Sequence, residues 1–211
     1  MPTAPTLASF ALAATALILL PGPAMLFLVS RGIGQGRRLA LASTLGIEAA
    51  TATMVLLTAF GLSALISSSV VAFSVVKYAG AAYLVYLAVR EFRARGHFSL
   101  QATPIAGPWR AFFDAYLVGI SNPKTAVFFL AFFPQFVHPE SGPVWSQVLV
   151  LGAIFVVIGL VFDSTYALSA GSIGQWLQRH PTAMNRQKFV SGGIFLAMGG
   201  VAALTGSPQK A

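Results

Sequence analysis

The stretch Ala11-Leu12-Ala13-Ala14-Thr15-Ala16-Leu17-Ile18-Leu19-Leu20 runs into Pro21-Gly22-Pro23 and resumes as Ala24-Met25-Leu26-Phe27-Leu28-Val29. Together the two apolar arms are long enough to cross a bilayer, which takes about 20 residues as a helix. The prolines fall in the middle of that crossing. Each removes a backbone donor and clashes with the preceding turn, which leaves carbonyls without partners. Unsatisfied backbone in hydrocarbon is costly enough that such a break is expected to face protein or a wet cavity. The segment therefore reads as a broken membrane helix. With no Lys or Arg ahead of the apolar run, and with the run continuing past Pro23, it is not expected to be a cleaved signal peptide.

The rest of the chain has the same character. Of its 211 residues, 56% are hydrophobic and 9% charged, and the mean hydropathy is +0.78. A soluble domain carries about 25% charged residues. The apolar residues come in long blocks rather than the dyad alternation of barrel strands, so the spans should be helices. Six are expected, near 6–29, 39–65, 70–89, 111–136, 144–172 and 189–207. Short connections leave one domain, 1–211. The longest connection, near 90–110, carries Arg93, Arg95, Pro104, Gly107 and Pro108 and reads as a loop. The absence of cysteine excludes disulfides, thiolate metal sites and cysteine nucleophiles.

The net charge of +8 could suggest nucleic acid, but its placement argues for a membrane face instead. Arg31, Arg37 and Arg38 follow the first span, Arg90, Arg93, Arg95 and Arg110 the third, and Arg179, Arg186 and Lys188 the fifth. The N-terminus and the loops after spans 2 and 4 carry no Lys or Arg, and the C-terminal tail has only Lys210. The positive-inside rule then puts both termini outside the cytoplasm.

The two halves of the chain resemble each other in order. Leu20-Pro21-Gly22-Pro23 corresponds to Ile120-Ser121-Asn122-Pro123, Leu45-Gly46 to Leu151-Gly152, and Leu62-Ser63-Ala64 to Leu168-Ser169-Ala170. Lys77-Tyr78 faces Lys188-Phe189 more weakly. Repeats near 1–95 and 105–211 with three spans each must run inverted, as in many secondary transporters whose sites lie at the repeat interface. The expected fold is all-α: a polytopic membrane protein of six transmembrane helices in two inverted three-helix repeats, with helices 1 and 4 broken at the midplane.

Pro21-Gly22-Pro23 lies about 15 residues into its span and Pro123 about 12, or roughly 22 and 18 Å deep. The half-helices that start at Pro23 and Pro123 would aim positive N-termini at a shared cavity, where a carboxylate fits. Lys124, Glu48 and Asp163 are central in their spans. A central charge costs about 2.5–3.5 kcal/mol on insertion scales, so these residues should face the interior and pair, Lys124 with Asp163 or Glu48. Pro21, Gly22, Pro23, Ser121, Asn122, Pro123 and Lys124 are thus the expected substrate-binding set, and Glu48 and Asp163 the groups that meet a proton or an ammonium. Lys77 is nearer an outer end and can snorkel. Asp114 is near enough to an inner end to reach the headgroups.

His97, His138 and His180 fall in loops, so no metal site or membrane-embedded base is expected from them. Gly32, Gly34 and Gly36 have no preceding strand and read as a turn rather than a phosphate loop. The pairs Phe128-Phe129 and Phe132-Phe133 sit at helical spacing and read as packing. The pattern is that of a secondary transporter with no cofactor and no enzymatic activity. A metal-cation exporter would use Glu48 and Asp163 as oxygen ligands but lacks a third. An intramembrane enzyme would want a buried Ser–His pair or a metal triad.

Pro21-Gly22-Pro23, the run Lys77-Tyr78-Ala79-Gly80-Ala81-Ala82-Tyr83-Leu84, and Asn122-Pro123-Lys124 followed by Phe132-Phe133-Pro134-Gln135-Phe136 resemble the lysine exporter family in its broad sense (LysE/RhtB), which includes threonine and homoserine exporters. The resemblance spans nearly the whole chain. It implies six helices, a bacterial inner-membrane location and efflux of amino acids driven by the proton gradient, and it puts an acidic residue at Asp163. Implied partners are an amino-acid-like solute, protons and membrane lipids, with a homodimer compatible and no nucleic acid. Two departures touch the pocket. Ala24 stands where members often have a polar residue, and Glu48 where many are neutral, so substrate identity does not carry over.

Overall fold

The computed structural model describes residues 1–68, 70–93 and 107–204. Among them every regular element is a helix: α1 Ala4–Leu19, α2 Pro23–Gln35, α3 Arg37–Ser68, α4 Val70–Arg93, α5 Pro108–Ile120, α6 Pro123–Val127, α7 Val144–Leu168, α8 Ala170–Arg179 and α9 Pro181–Leu204. Proline occupies the first turn of α1, α2, α5 and α6, where its missing N–H costs nothing. Gly36, at φ +86°, closes α2 and turns the chain into α3.

The two expected breaks are present. The pair α1 and α2 bends by 53° across Leu20–Gly22, and α5 bends from the segment Pro123–Phe136 by 46°. Each bent pair is long and apolar enough to cross a membrane, as are Arg37–Ser63 of α3 and all of α7. A shorter apolar stretch, Lys188–Val201, lies in α9.

Several expectations need correction. The fifth apolar block does not run to 172: α7 stops at Leu168, and Ser169 both caps it and opens α8. The matching Ser63 lies inside an uninterrupted α3, because its hydroxyl bonds back to the Ala59 carbonyl without ending the helix. The final helix begins at Pro181, eight residues before the expected start at 189. Gly32 and Gly34 belong to α2, and only Gly36 makes the turn. The phenylalanine pairs do pack, but not on a plain α-helix. Phe128–Phe132 forms a π turn, and Phe133–Phe136 a 3₁₀ turn. This irregular stretch buries Phe128, Phe129, Phe132 and Phe133, with Phe10 of α1 edge-on to Phe133 at 5.0 Å and to Phe136 at 5.2 Å.

Arg31 is the largest correction. It lies within α2 rather than in a loop and is only 1% exposed. Its guanidinium donates to Asp114 of α5 at 3.1 Å and to Gln35 at 3.2 Å, over the ring of Phe27. Arg90 and Arg93 likewise end α4, and Arg110 lies in the first turn of α5. Arg95, His97, Pro104 and Lys210 lie outside the described residues, as do the side chains of Lys77 and Arg186.

The molecule has two distinct ends. At one, Gly32 and Ile33 of α2 pack on Ala170 and Gly174 of α8, and the ring of Phe92 of α4 lies tilted against that of Phe189 of α9. Arg37 and Arg38 follow α2 and open α3, Arg90 and Arg93 end α4, Arg179 ends α8, and Lys188 precedes Phe189. At the other end the Met1 amine donates to the Ser141 carbonyl, and Gln147 bonds the backbone of His138 and Gly142.

Candidate functional site

The site grows out of the two breaks. Leu20 turns out of α1 into extended backbone and donates its N–H to the Leu17 carbonyl at 3.2 Å, so its own carbonyl lies beyond the last helical turn. Lys124, one residue into α6, supplies the donor: its Nζ bonds the Leu17 carbonyl at 3.0 Å and the Leu20 carbonyl at 2.8 Å. The Lys124 side chain passes beside Gly22, where an added Cβ would sit in ordinary contact with Nζ at 3.4 Å and Cε at 3.6 Å. Asn122 caps α6 and accepts from the Lys124 backbone N–H at 3.1 Å.

The acidic residues come from the two long helices that flank the breaks. Glu48 of α3 is 6% exposed and Asp163 of α7 is 7% exposed, and both line the same cavity as Lys124. Glu48 Oε2 is buried with no hydrogen-bond partner. Thr44 reaches the Asp163 backbone carbonyl at 3.4 Å.

These groups line one cavity of about 30 Å³. Its walls include Ala24 and Met25 from the first turn of α2, Asn122, Lys124 and Thr125 from the start of α6, Glu48 and Thr51 from α3, and Gly159 and Asp163 from α7. Leu17, Ile18, Ile47 and Phe155 supply its apolar surface. Such a volume holds a water or two.

Of the expected binding set, Asn122 and Lys124 line this cavity, and the Lys124 side chain passes beside Gly22. Pro21 and Pro23 shape the break. Pro123 lines a separate apolar groove with Tyr83 of α4 and Leu130, and Ser121 is exposed at the end of α5. Glu48 and Asp163 line the cavity together with Lys124. Sequence reasoning missed Gly159 and Thr51. Gly159 precedes Asp163 by four residues, one helical turn, and that spacing is the signal that could have found it. Among the described residues, no three His, Cys, Asp or Glu side chains are grouped so as to hold a metal ion. His138 pairs with Glu140 at 3.4 Å, and His180 stacks on Trp176.

The profile of the LysE type translocator family matches residues 15–206. The homoserine/homoserine lactone efflux protein of Salmonella typhimurium is 34% identical over 196 residues, which cover 92% of this chain and 94% of that protein. An uncharacterized membrane protein of Vibrio cholerae is 32% identical over 192 residues, covering 90% of this chain and 93% of its own. The leucine efflux protein of Salmonella choleraesuis is 26% identical over 166 residues, covering 76% and 77%. No solved structure matches the chain. Since the matched residues include both helix breaks and all three cavity ions, this multi-pass membrane protein belongs to the LysE type translocator family.

Proposed function

We propose that the chain exports amino acids or related small zwitterions from the cytoplasm by proton antiport. The observation that carries this reading is the meeting of Lys124, Glu48 and Asp163 in one cavity between two broken helices. Relatives named for efflux of homoserine, homoserine lactone and leucine support the substrate class. In this reading the single domain 1–211 crosses the inner membrane six times as inverted repeats near 1–95 and 105–211. Both termini are periplasmic, and the basic end faces the cytoplasm.

The substrate carboxylate docks at the α2 N-terminus, where the backbone N–H groups of Ala24 and Met25 have no turn before them to bond, with Lys124 and Asn122 beside it. The substrate ammonium meets Asp163 and Glu48. A proton on the same carboxyls competes with that ammonium, and the competition couples the two fluxes. The cavity as it stands is too small for an amino acid, so the helices part to admit one and close again to occlude it. A divalent-cation exporter is less well served, because Lys124 holds a positive charge where the cation would sit.

The test is efflux from proteoliposomes under an imposed pH gradient, with a panel of amino acids and with divalent cations. Wild type is expected to move an amino acid in exchange for protons. Asp163→Asn should lose the gradient-driven component while still accumulating in the membrane. Undiminished proton-coupled efflux by that variant removes Asp163 from the scheme.

A further inference from the structure

Gly159 of α7 faces the Glu48 side chain of α3. A Cβ on Gly159 would collide with Glu48 Oε1 and come within 2.8 Å of Oε2 and 2.9 Å of the carboxyl carbon. The Glu48 carboxyl therefore occupies a space beside α7 that any side chain at 159 would fill. Gly159 and Asp163 are one turn apart on the same face of α7, so this seat brings the Glu48 carboxyl beside that of Asp163. Among the described glycines, several are as tightly packed, but at Gly159 alone would an added Cβ run into a carboxyl within 3 Å; Gly152, two turns earlier on α7, meets the apolar Val55.

We infer that Gly159 is a positioning residue, whose bare backbone seats the Glu48 carboxyl against Asp163 so that the two act as one proton-exchanging pair. The inference rests on the proposed exchange of an amino acid for a proton. An added methyl would press on the tip of a flexible side chain rather than on backbone, so Glu48 swings off α7 while α3 and α7 keep their packing. Gly159→Ala thus separates the carboxyls without unfolding the protein. Glu48→Asp, shorter by one methylene, withdraws the carboxyl from the α7 backbone and makes room for that methyl.

The test uses four variants of the full chain in proteoliposomes: Gly159→Ala, Glu48→Asp, the double variant of the two, and Glu48→Ala with Gly159→Ala. Gly159→Ala should lower proton-coupled exchange by about tenfold and flatten its dependence on pH, the size expected for contacting residues that act together. Adding Glu48→Asp should restore most of that loss. In a Glu48→Ala background, Gly159→Ala should change nothing further. If Gly159→Ala alone fails to accumulate, the Glu48→Ala double variant should accumulate like Glu48→Ala, since the only obstacle is gone. A wild-type pH profile in Gly159→Ala, or additive losses with Glu48→Ala, overturns the inference.

A transport-independent reading separates this from failure of the exchange reading. The infrared carboxyl bands of Glu48, assigned by their loss in Glu48→Gln, should shift in Gly159→Ala. If they shift while wild type exchanges no amino acid for protons, the seat stands and the transport reading fails. If they stay fixed, the seat itself is wrong.

Discussion

Lys124 Nζ donates to the Leu20 carbonyl oxygen at 2.8 Å, so the second broken helix pair satisfies the backbone exposed by the first. The two breaks are not independent kinks: the residue that follows Pro123 supplies the donor that Pro21 and Pro23 cannot. Replacing Lys124 by Met keeps the stem and removes the donor, so the Leu20 carbonyl loses its bond to Nζ while the Leu17 carbonyl keeps the Leu20 N–H. A buried acceptor left without a partner costs about 1–3 kcal/mol. We expect Lys124→Met to lower thermal stability in detergent as well as transport, and Lys124→Arg to recover part of the stability. Wild-type stability in Lys124→Met would mean that the bond across the breaks holds nothing together.

Gly46 and Gly61, both on α3, should respond oppositely to the same substitution. A Cβ at Gly46 would collide with the Phe112 carbonyl of α5 and come within 3.0 Å of Ala115, while at Gly61 it meets nothing within 4 Å. Backbone cannot swing aside, so Gly46→Ala forces the two helices apart at about 1–3 kcal/mol or more. Gly61→Ala should be neutral or stabilising by about 0.5–1 kcal/mol, because alanine loses less freedom in a helix. Detergent-solubilised yield and melting temperature of the two variants, measured side by side, check the contrast.

What the sequence disclosed and what it hid follow from how local the physics is. Proline in an apolar run is disruptive wherever it sits, so both breaks were legible from Pro21, Pro23 and Pro123 alone. Glu48, Asp163 and Lys124 stood out because charge is costly in hydrocarbon. Their partners did not, because rotation of a long helix about its axis is fixed by packing partners far away in sequence. Lys124 bonds the Leu17 and Leu20 carbonyls, which the sequence did not suggest, and shares a cavity with Glu48 and Asp163. Arg31 was misread for the opposite reason. It lies six residues ahead of Arg37 in a glycine-rich stretch that resembles a loop, and only the fold brings Asp114, 83 residues away, to its side. The π turn at Phe128–Phe132 has no compositional signature at all.

The Arg31–Asp114 pair should be asymmetric. Arg31 is 1% exposed and Asp114 is 38% exposed. Removing the carboxylate strands a buried guanidinium, whose Nε already lacks a partner, with Gln35 as its remaining acceptor in hand. Removing the guanidinium leaves an aspartate that water can reach. Asp114→Asn should therefore destabilise by about 1–3 kcal/mol, below the range for a fully buried pair because one partner is solvated. Arg31→Met should cost less, and adding Asp114→Asn to it should cost almost nothing more. A double-mutant cycle in thermal unfolding reads this directly, and equal single losses that simply add would show that the pair carries no coupling.

Orientation can be tested without a background to subtract, because the chain has no cysteine. Glu140 lies in the turn between the second broken pair and α7, and His180 lies between α8 and α9; both are exposed. The end that holds His180 also holds Arg179 and Lys188, whereas the end near Glu140 holds the Met1 amine and, through Gln147, an otherwise neutral turn. Basic residues are retained on the cytoplasmic side, because carrying them across the membrane is opposed during insertion. A membrane-impermeant maleimide added to intact cells with a permeabilised outer membrane should label Glu140→Cys and spare His180→Cys. In inverted vesicles the pattern should reverse. Labelling of His180→Cys from outside would turn the molecule over and make the Arg31–Asp114 end the periplasmic one.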